Sequence, residues 1–294
     1  MPEHPIKQFV KEKVYPIIKG TLFESALTKS PIANLKYRHL SYEVIEILDV
    51  FTREAIHTLE LIDGHYNKSM KLFEIGGGIG LVNAWLQVSG YEIISIEPSD
   101  GGHDNYYEIG AYIIKNLNLD KNRWKPLKAE QINPLGEKYD LVFSNNVLEH
   151  INDVDAAFKK MGSCLNNSGV MRHCCPNYAI PYEPHYGIPL LPFMEKYTTF
   201  LMPNIRNEEL WRSINFISAK EVRRICKKHS YVIDFDRETT YKSISRLFYD
   251  EKFAERHVWL KYIFGIMKKL RILSWLKLIP AVYATPILFT VRLQ

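Results

Sequence analysis

Two groups of residues in this 294-residue chain have the types and spacing to do chemistry. The first is Gly76-x-Gly78-x-Gly80, with Glu74 ahead of it and Glu97 behind. Glycines so spaced let the backbone approach a ligand closely, and the later carboxylate is placed to accept hydrogen bonds from ribose hydroxyls. A dinucleotide fingerprint would need a third small residue at position 81, where Leu81 stands, so a pyrophosphate is not the expected ligand. The second group is Glu149-His150, with Asp153 close behind, and a later run of Tyr178, Tyr182, Glu183, His185 and Tyr186. An imidazole near neutrality can take a hydroxyl proton, which makes His150 the first candidate base and His185 the second. Tyr178, Tyr182 and Tyr186, with Glu183, offer rings and polar tips to a sugar or aromatic acceptor. Glu149, His150 and Asp153, together with His103 and Asp104, would suit magnesium or manganese. Asn152, Asp153 and Asp155 also serve simply to favour the start of the next helix, and no metal is expected.

The elements that must position these residues follow from periodicity. Leu72, Phe73 and Ile75 form a short apolar run into the glycines. Leu81, Val82, Trp85 and Leu86 then recur at helical spacing, Gly90 stops them, and Ile93, Ile94 and Ile96 lead to Glu97, which makes a βαβ unit. A crossover helix over 101–119, a short strand over 124–127 and a strand over 140–143 come next, the last carrying Ser144, Asn145 and Asn146 at its carboxyl end. Open α/β sheets bind ligands at that edge. A fifth strand spans 170–175 and contains His173, read as a core histidine. Ser218-x-x-Glu221 is a capping box opening a helix to His229, ahead of strands at 231–235 and 285–293. Upstream, one or two short helices broken at Pro16 cover 6–27, and an amphipathic helix covers 41–61.

The glycine loop with its two acids, and the stretch YDLVFSNNVLEHINDVDAAFKKMGSCLNNSGVM after it, together resemble the class I S-adenosylmethionine (SAM) dependent methyltransferases. The resemblance implies a Rossmann-like α/β fold with a seven-stranded, mostly parallel sheet in the order 3-2-1-4-5-7-6 and added helices. It implies SAM as cofactor and S-adenosylhomocysteine as product. Glu74, Gly76, Gly78 and Gly80 would surround the methionine end, and Glu97, followed by Pro98, would bind the ribose. Asn145 and Asn146 would face the methionine and sulfonium region, and Ala129 with Glu130 or Gln131 would border the adenine. Two departures stand out: Lys128 where relatives often have an adenine-binding Asp, and Asn167-Ser168-Gly169 where Pro-Gly-Gly is usual before strand five.

These readings divide the chain into an N-terminal helical cap over 1–66 and a methyltransferase domain over 67–294, with insertions at about 178–215 (a substrate lid) and 241–284 (helical). A net charge of +5 and the lack of a Lys/Arg run of five argue against a nucleic-acid partner. The four cysteines have no zinc spacing and suit a reducing compartment. No signal-peptide core or membrane-spanning run is present, so a cytoplasmic protein is expected. Trp259, Ile263, Ile266, Leu270 and Trp275, interleaved with Lys261, Lys268, Lys269, Arg271 and Lys277, leave room for peripheral contact with the inner face of a membrane through 248–279. The expected reaction is methyl transfer to a hydroxyl of a small molecule, preferably a sugar of a bacterial surface polysaccharide. An aromatic, quinone or lipid acceptor, a nicotinamide-dependent reductase and a non-catalytic SAM-fold interaction protein are the alternatives.

Overall fold

The computed structural model describes residues 4–19, 41–99, 104–133, 136–191, 198, 205 and 208–294. His103, residues 20–27 of the stretch expected to be helical and most of 192–207 lie outside the described residues. The main sheet is built from β1 (Lys71–Ile75), β2 (Glu92–Ile96), β3 (Trp124–Lys125), β4 (Tyr139–Asn145), β5 (Leu165–Cys175), β8 (Tyr231–Phe235) and β9 (Ile287–Leu293). Strands β6 (Tyr182–Glu183) and β7 (Ile188–Pro189) form a separate antiparallel hairpin. The main sheet runs in the order 3-2-1-4-5-9-8, which is the expected order once the hairpin strands are left out of the count. β1 pairs in parallel with β2 and β4, β2 in parallel with β3, and β8 antiparallel with β9. Four of the five β1 residues are buried, as a central parallel strand covered on both faces requires.

The chain forms two compact units, one of residues up to Asn145 with Ala156–Arg172, the other of Asn146–Asp155 with His173–Gln294. In the first unit the residues from Pro5 to Lys19 stay helical through Pro16, contrary to the expected break. The turn Val10–Val14 is a π-helix, and the Tyr15 N–H donates to the Val10 carbonyl. A proline lacks the N–H that an α-turn needs, and a widened turn just before it absorbs the missing bond. Helix Ser41–Ile62 buries Leu48, Ala55, Leu59 and Ile62. Strand β5 also departs from expectation by starting at Leu165, so that Asn167-Ser168-Gly169 lie inside it rather than in a turn. No proline interrupts that stretch, and the ladder therefore extends further back.

Trp124 packs between two glycines. A Cβ built on Gly77 would lie 2.6 Å from its ring, and one on Gly110 2.5 Å from it. Gly80 caps helix Leu81–Val88 at φ +75°, and a Cβ there would lie 3.2 Å from the Gly110 Cα. Both the left-handed backbone and this close approach demand glycine. Gly80→Ala is therefore expected to lower stability by about 1–3 kcal/mol. A denaturation midpoint equal to wild type would contradict this reading of the loop.

In the second unit, buried Asn177 ties several segments together. Its Nδ2 donates to the carbonyls of Val282 and Ala284, at 2.8 and 2.9 Å, and its Oδ1 accepts from the Ala219 N–H at 3.1 Å. Helix Ala219–Lys228 starts as its capping box predicts, with Ser218 Oγ accepting from the Glu221 N–H. The predicted helical insertion consists of Thr239–Ser245, Glu251–Arg256, Val258–Lys269 and the 3-10 turn Leu273–Leu278. Among the described residues no helix is long and apolar enough to cross a membrane.

Candidate active site

The glycine loop leaves β1 with Gly76, Gly78 and Gly80 all at positive φ, at 72°, 57° and 75°. The N–H groups of Gly76 and Gly77 donate to the Ile96 carbonyl, which ties the loop to the end of β2. Gly78 turns its N–H onto Glu97 Oε2 at 2.9 Å, so the predicted carboxylate does meet the predicted loop. Glu97 is nearly buried, and that burial pushes its pKa up to about 8. The Gly78 bond works against the rise, and neighbouring Glu74 adds to it. Glu74 lies deeper, with Ser95 Oγ donating to its Oε2 at 2.6 Å. Burial raises its pKa to about 7, opposed by the serine. Asn83 Nδ2 donates in turn to Ser95 Oγ at 2.8 Å, so Glu74 belongs to a hydrogen-bonded network that supports the loop.

Helix Ser41–Ile62 meets this site from above. A Cβ on Gly78 would lie 2.9 Å from the Phe51 ring, which itself packs edge-on against Tyr106. Asn145, at the end of β4, donates from Nδ2 to Glu54 Oε2 and Thr58 Oγ1, each at 3.3 Å. Pro98 is half-buried beside Glu97, and Ala129 and Glu130 sit in a 3-10 turn, the alanine buried. The Lys128 N–H donates to Gln131 Oε1 at 3.1 Å.

The second unit carries the other set of predicted residues, beginning one residue after Asn145. Asn146 takes a left-handed φ of 54° and donates its N–H to the Cys174 carbonyl. A 3-10 turn, Leu148–His150, follows. Asn215 clamps this turn, its side chain donating to the carbonyls of Leu148 and Ile151 and its N–H to that of Glu149. The structure brings His150 and His185 together across a sequence gap that no periodicity predicts, with ring centroids 5.4 Å apart.

Each imidazole is oriented by a partner. His150 Nδ1 lies 2.7 Å from Ser213 Oγ, and that serine donates its own proton to the Leu210 carbonyl at 2.8 Å. Ser213 therefore accepts from His150, which puts the imidazole proton on Nδ1 and leaves Nε2 as the basic nitrogen. His185 Nδ1 lies 2.5 Å from Glu183 Oε1. Burial would raise the Glu183 pKa, but the His185 bond and charge, with the N–H groups of Tyr186 and His185, bring it below the ordinary value. An ionised Glu183 makes His185 Nδ1 the donor and holds the ring by a charge-assisted bond. Fully buried Glu149 places Oε1 3.9 Å from His185 Nε2. One ligand atom from each of Glu149, His150 and His185 lies within 4.8 Å of the others, a spacing that a metal ion could bridge. Asp153 is not part of this group.

The other predicted acceptor residues divide. Tyr178 is only 4% exposed, packs with Leu190, Trp211 and Ile214, and places its hydroxyl 3.1 Å from Glu183 Oε1. Glu183 is fully buried. Tyr178 and Glu183 are thus buried in one hydrogen-bonded chain with His185. Tyr182 and Tyr186 are half-buried on the hairpin, Tyr182 bonded to His257 and Tyr186 to Glu208 at 2.7 Å. His173 is fully buried, and burial lowers its pKa to about 3, as a core histidine requires. Ser213, Asn215, Phe51, Glu54 and Thr58 were not legible as site residues, because a lone polar or aromatic residue in an irregular or amphipathic stretch carries no pattern.

Comparison with known proteins adds a family to this geometry. A family model described as a methyltransferase domain matches residues 39–234. An uncharacterised protein of Mycobacterium tuberculosis is 31% identical over 222 residues, covering 71% of this chain and 74% of its own. The ubiquinone biosynthesis O-methyltransferase of Azorhizobium caulinodans is 24% identical over 108 residues, covering 35% of this chain and 39% of its own. Among solved structures, the O-methyltransferase from a trans-AT PKS multienzyme of Brevibacillus brevis, in complex with S-adenosyl-L-homocysteine, superposes with a TM-score of 0.51. It is 14% identical, covers 89% of this chain and 78% of its own, and so matches in fold.

Proposed function

Since the chain belongs to the class I SAM-dependent methyltransferases, we propose that it methylates a hydroxyl group, and that His150 takes the proton of that hydroxyl. The chain's residues fit the cofactor. Three left-handed glycines form a cradle that a Cβ on Gly78 or Gly80 would crowd, and Glu97 meets it as an acceptor for ribose hydroxyls. Glu97 and Pro98 would hold the ribose, the loop glycines above Glu74 the methionine end, Asn145 and Asn146 the sulfonium region, and Ala129 and Glu130 the adenine. When bound, SAM supplies an already activated methyl group, so the protein's task is alignment, exclusion of water and removal of one proton.

The observation that carries this reading is the orientation of His150. A general base needs a defined lone pair, and the Ser213 bond provides one at Nε2. Beside it, Glu183, whose carboxyl the His185 bond holds below its ordinary pKa, can stabilise positive charge on the paired imidazoles. An amine acceptor would have little need of such a cluster. Tyr182 and Tyr186, as half-buried rings with polar tips, suit a sugar, and a sugar of a surface polysaccharide or of its lipid-linked precursor is the preferred acceptor. Four free cysteines suit the reducing cytoplasm as the place of reaction. The test is a panel of glycosides, catechols, quinols and amines, scored by S-adenosylhomocysteine release. Turnover on amines alone would overturn the hydroxyl reading, and turnover on quinols alone would replace the sugar.

The mutual spacing of Glu149, His150 and His185 favours a second reading of the same cluster, in which a divalent ion acidifies the hydroxyl. Dialysis against a chelator separates the two. Under the base reading the chelated enzyme keeps its rate, whereas the metal reading expects the rate to fall and to return on adding magnesium, manganese or zinc.

A further inference from the structure

Helix Val258–Lys269 has no buried residue along its 12 positions. Leu260, Phe264 and Met267 are half-buried and mark the side that rests on the protein. The other side carries Val258, Trp259 (whose ring also packs against Tyr182 and whose indole N–H donates to the Gly187 carbonyl), Tyr262, Ile263, Ile266 and, at the cap, Leu270. At helical spacing these six fall within one arc of roughly 140°. Their exposures run from 43% at Trp259 to 75% at Tyr262. Trp275 and Leu278, in the turn after the helix, are 64% and 80% exposed. A monomer seldom leaves so continuous an apolar strip in water.

Within the helix and the turn after it, the side-chain charge has a single sign. No Asp or Glu follows Glu255 in the sequence, whereas Lys261, Lys268, Lys269, Arg271 and Lys277 all lie between it and Tyr283. Lys261, Lys269 and Arg271 are exposed. Lys277 is committed in part to Glu238 at 3.4 Å, and Lys268 sits over the Phe248 ring. A second copy of this chain would bring like charges together across the same face, which disfavours self-association. A helix with aliphatic and aromatic residues on one side, Lys269 just inside one edge of that arc and Lys261 beyond the same edge instead fits the interface of a lipid layer, where the apolar side enters the acyl boundary and the lysines meet headgroup phosphates. Trp259 and Tyr262 within the strip, and Trp275 after it, have the amphipathic character that this depth favours.

We propose that helix Val258–Lys269, with the turn through Leu278, is a docking surface for a membrane rich in anionic lipid, on which it lies flat. The proposal does not depend on the acceptor or on the methyl-transfer mechanism. The full-length protein is floated with phosphatidylcholine vesicles, with and without phosphatidylglycerol. Flotation is expected with the anionic vesicles at low salt, and its loss at high salt. Lys261→Ala/Lys269→Ala lowers partitioning about 30-fold, since each basic residue near the surface contributes about fivefold. Ile266→Asp/Leu270→Asp abolishes flotation, and because both side chains are exposed the thermal melt of that variant stays at the wild-type temperature. Wild-type protein remaining in the bottom fraction with anionic vesicles would overturn the proposal. So would flotation that survives Ile266→Asp/Leu270→Asp, or a wild-type dimer that this variant splits, which would assign the strip to a protein interface.

Discussion

Replacing His150 by alanine lowers turnover at least about a hundredfold, the lower end of what a positioned general base contributes, while cofactor affinity and melting temperature stay near wild type. The expectation follows from the two bonds at Ser213, which hold the basic nitrogen of His150 in one tautomer. Ser213→Ala removes that constraint without removing the base. It is expected to give a smaller loss with an altered pH–rate profile, and Ser213→Thr should restore both. Steady-state kinetics beside calorimetric titration of SAM makes the comparison. Loss of cofactor binding or unfolding in His150→Ala would assign the residue to packing. Near-normal turnover would move the base to His185, which Glu183 orients, or indicate an acceptor that needs no base.

Glu97→Ala is expected to weaken SAM by about 1.5 to 3 kcal/mol, roughly ten- to 150-fold, because a charge-assisted acceptor for two hydroxyls is lost. The same carboxylate makes the empty protein sensitive to pH. Burial raises Glu97 to about 8 and Glu74 to about 7, both above the ordinary 4.5, so over that window the native state binds more protons than the unfolded chain. Stability conferred by these groups is complete below about pH 4.5 and is lost as pH rises through 7 to 8. Cofactor affinity runs the opposite way, since the ribose hydroxyls need an ionised acceptor. It should climb with pH by up to about tenfold per unit until Glu97 has titrated. Glu97→Gln should therefore melt higher than wild type at pH 8.5 and yet bind SAM less tightly. Wild-type affinity that is flat between pH 6 and 8.5 would show that Glu97 does not bind the ribose.

What could be read in advance follows the physics of each signal. The βαβ unit around Gly76–Gly80 was legible because apolar runs, a glycine turn and a terminal acid each constrain the local chain, and the Glu97–Gly78 bond is their product. Strand β8 and the capping box at Ser218 were equally local. The behaviour of Pro16 was not, because whether a proline breaks a helix or is absorbed by a widened turn depends on packing around it. The burial of Tyr178 was not legible from its neighbours in sequence, since burial is decided by partners such as Trp211 far along the chain. The meeting of His150 with His185 and Ser213 is of the same kind. Each residue is unremarkable in its own segment, and only the clamp that Asn215 puts on the Leu148–His150 turn gives the cluster its geometry.

The order of the strands has a consequence for the chain as it leaves the ribosome. Strand β9 lies between β5 and β8 in the sheet, yet its first residue, Ile287, is synthesised well after Phe235, the last of β8. Until then β8 has no strand to pair with, and β5 keeps an open edge rich in unpaired backbone groups. Such edges are where nascent chains join one another. The helical segments from Thr239 to Leu278 lengthen this interval, because all of them must emerge before the closing strand does. Translation speed across that stretch, and the supply of chaperones that shield strand edges, should therefore govern the yield of folded protein more than the stability of the finished sheet does.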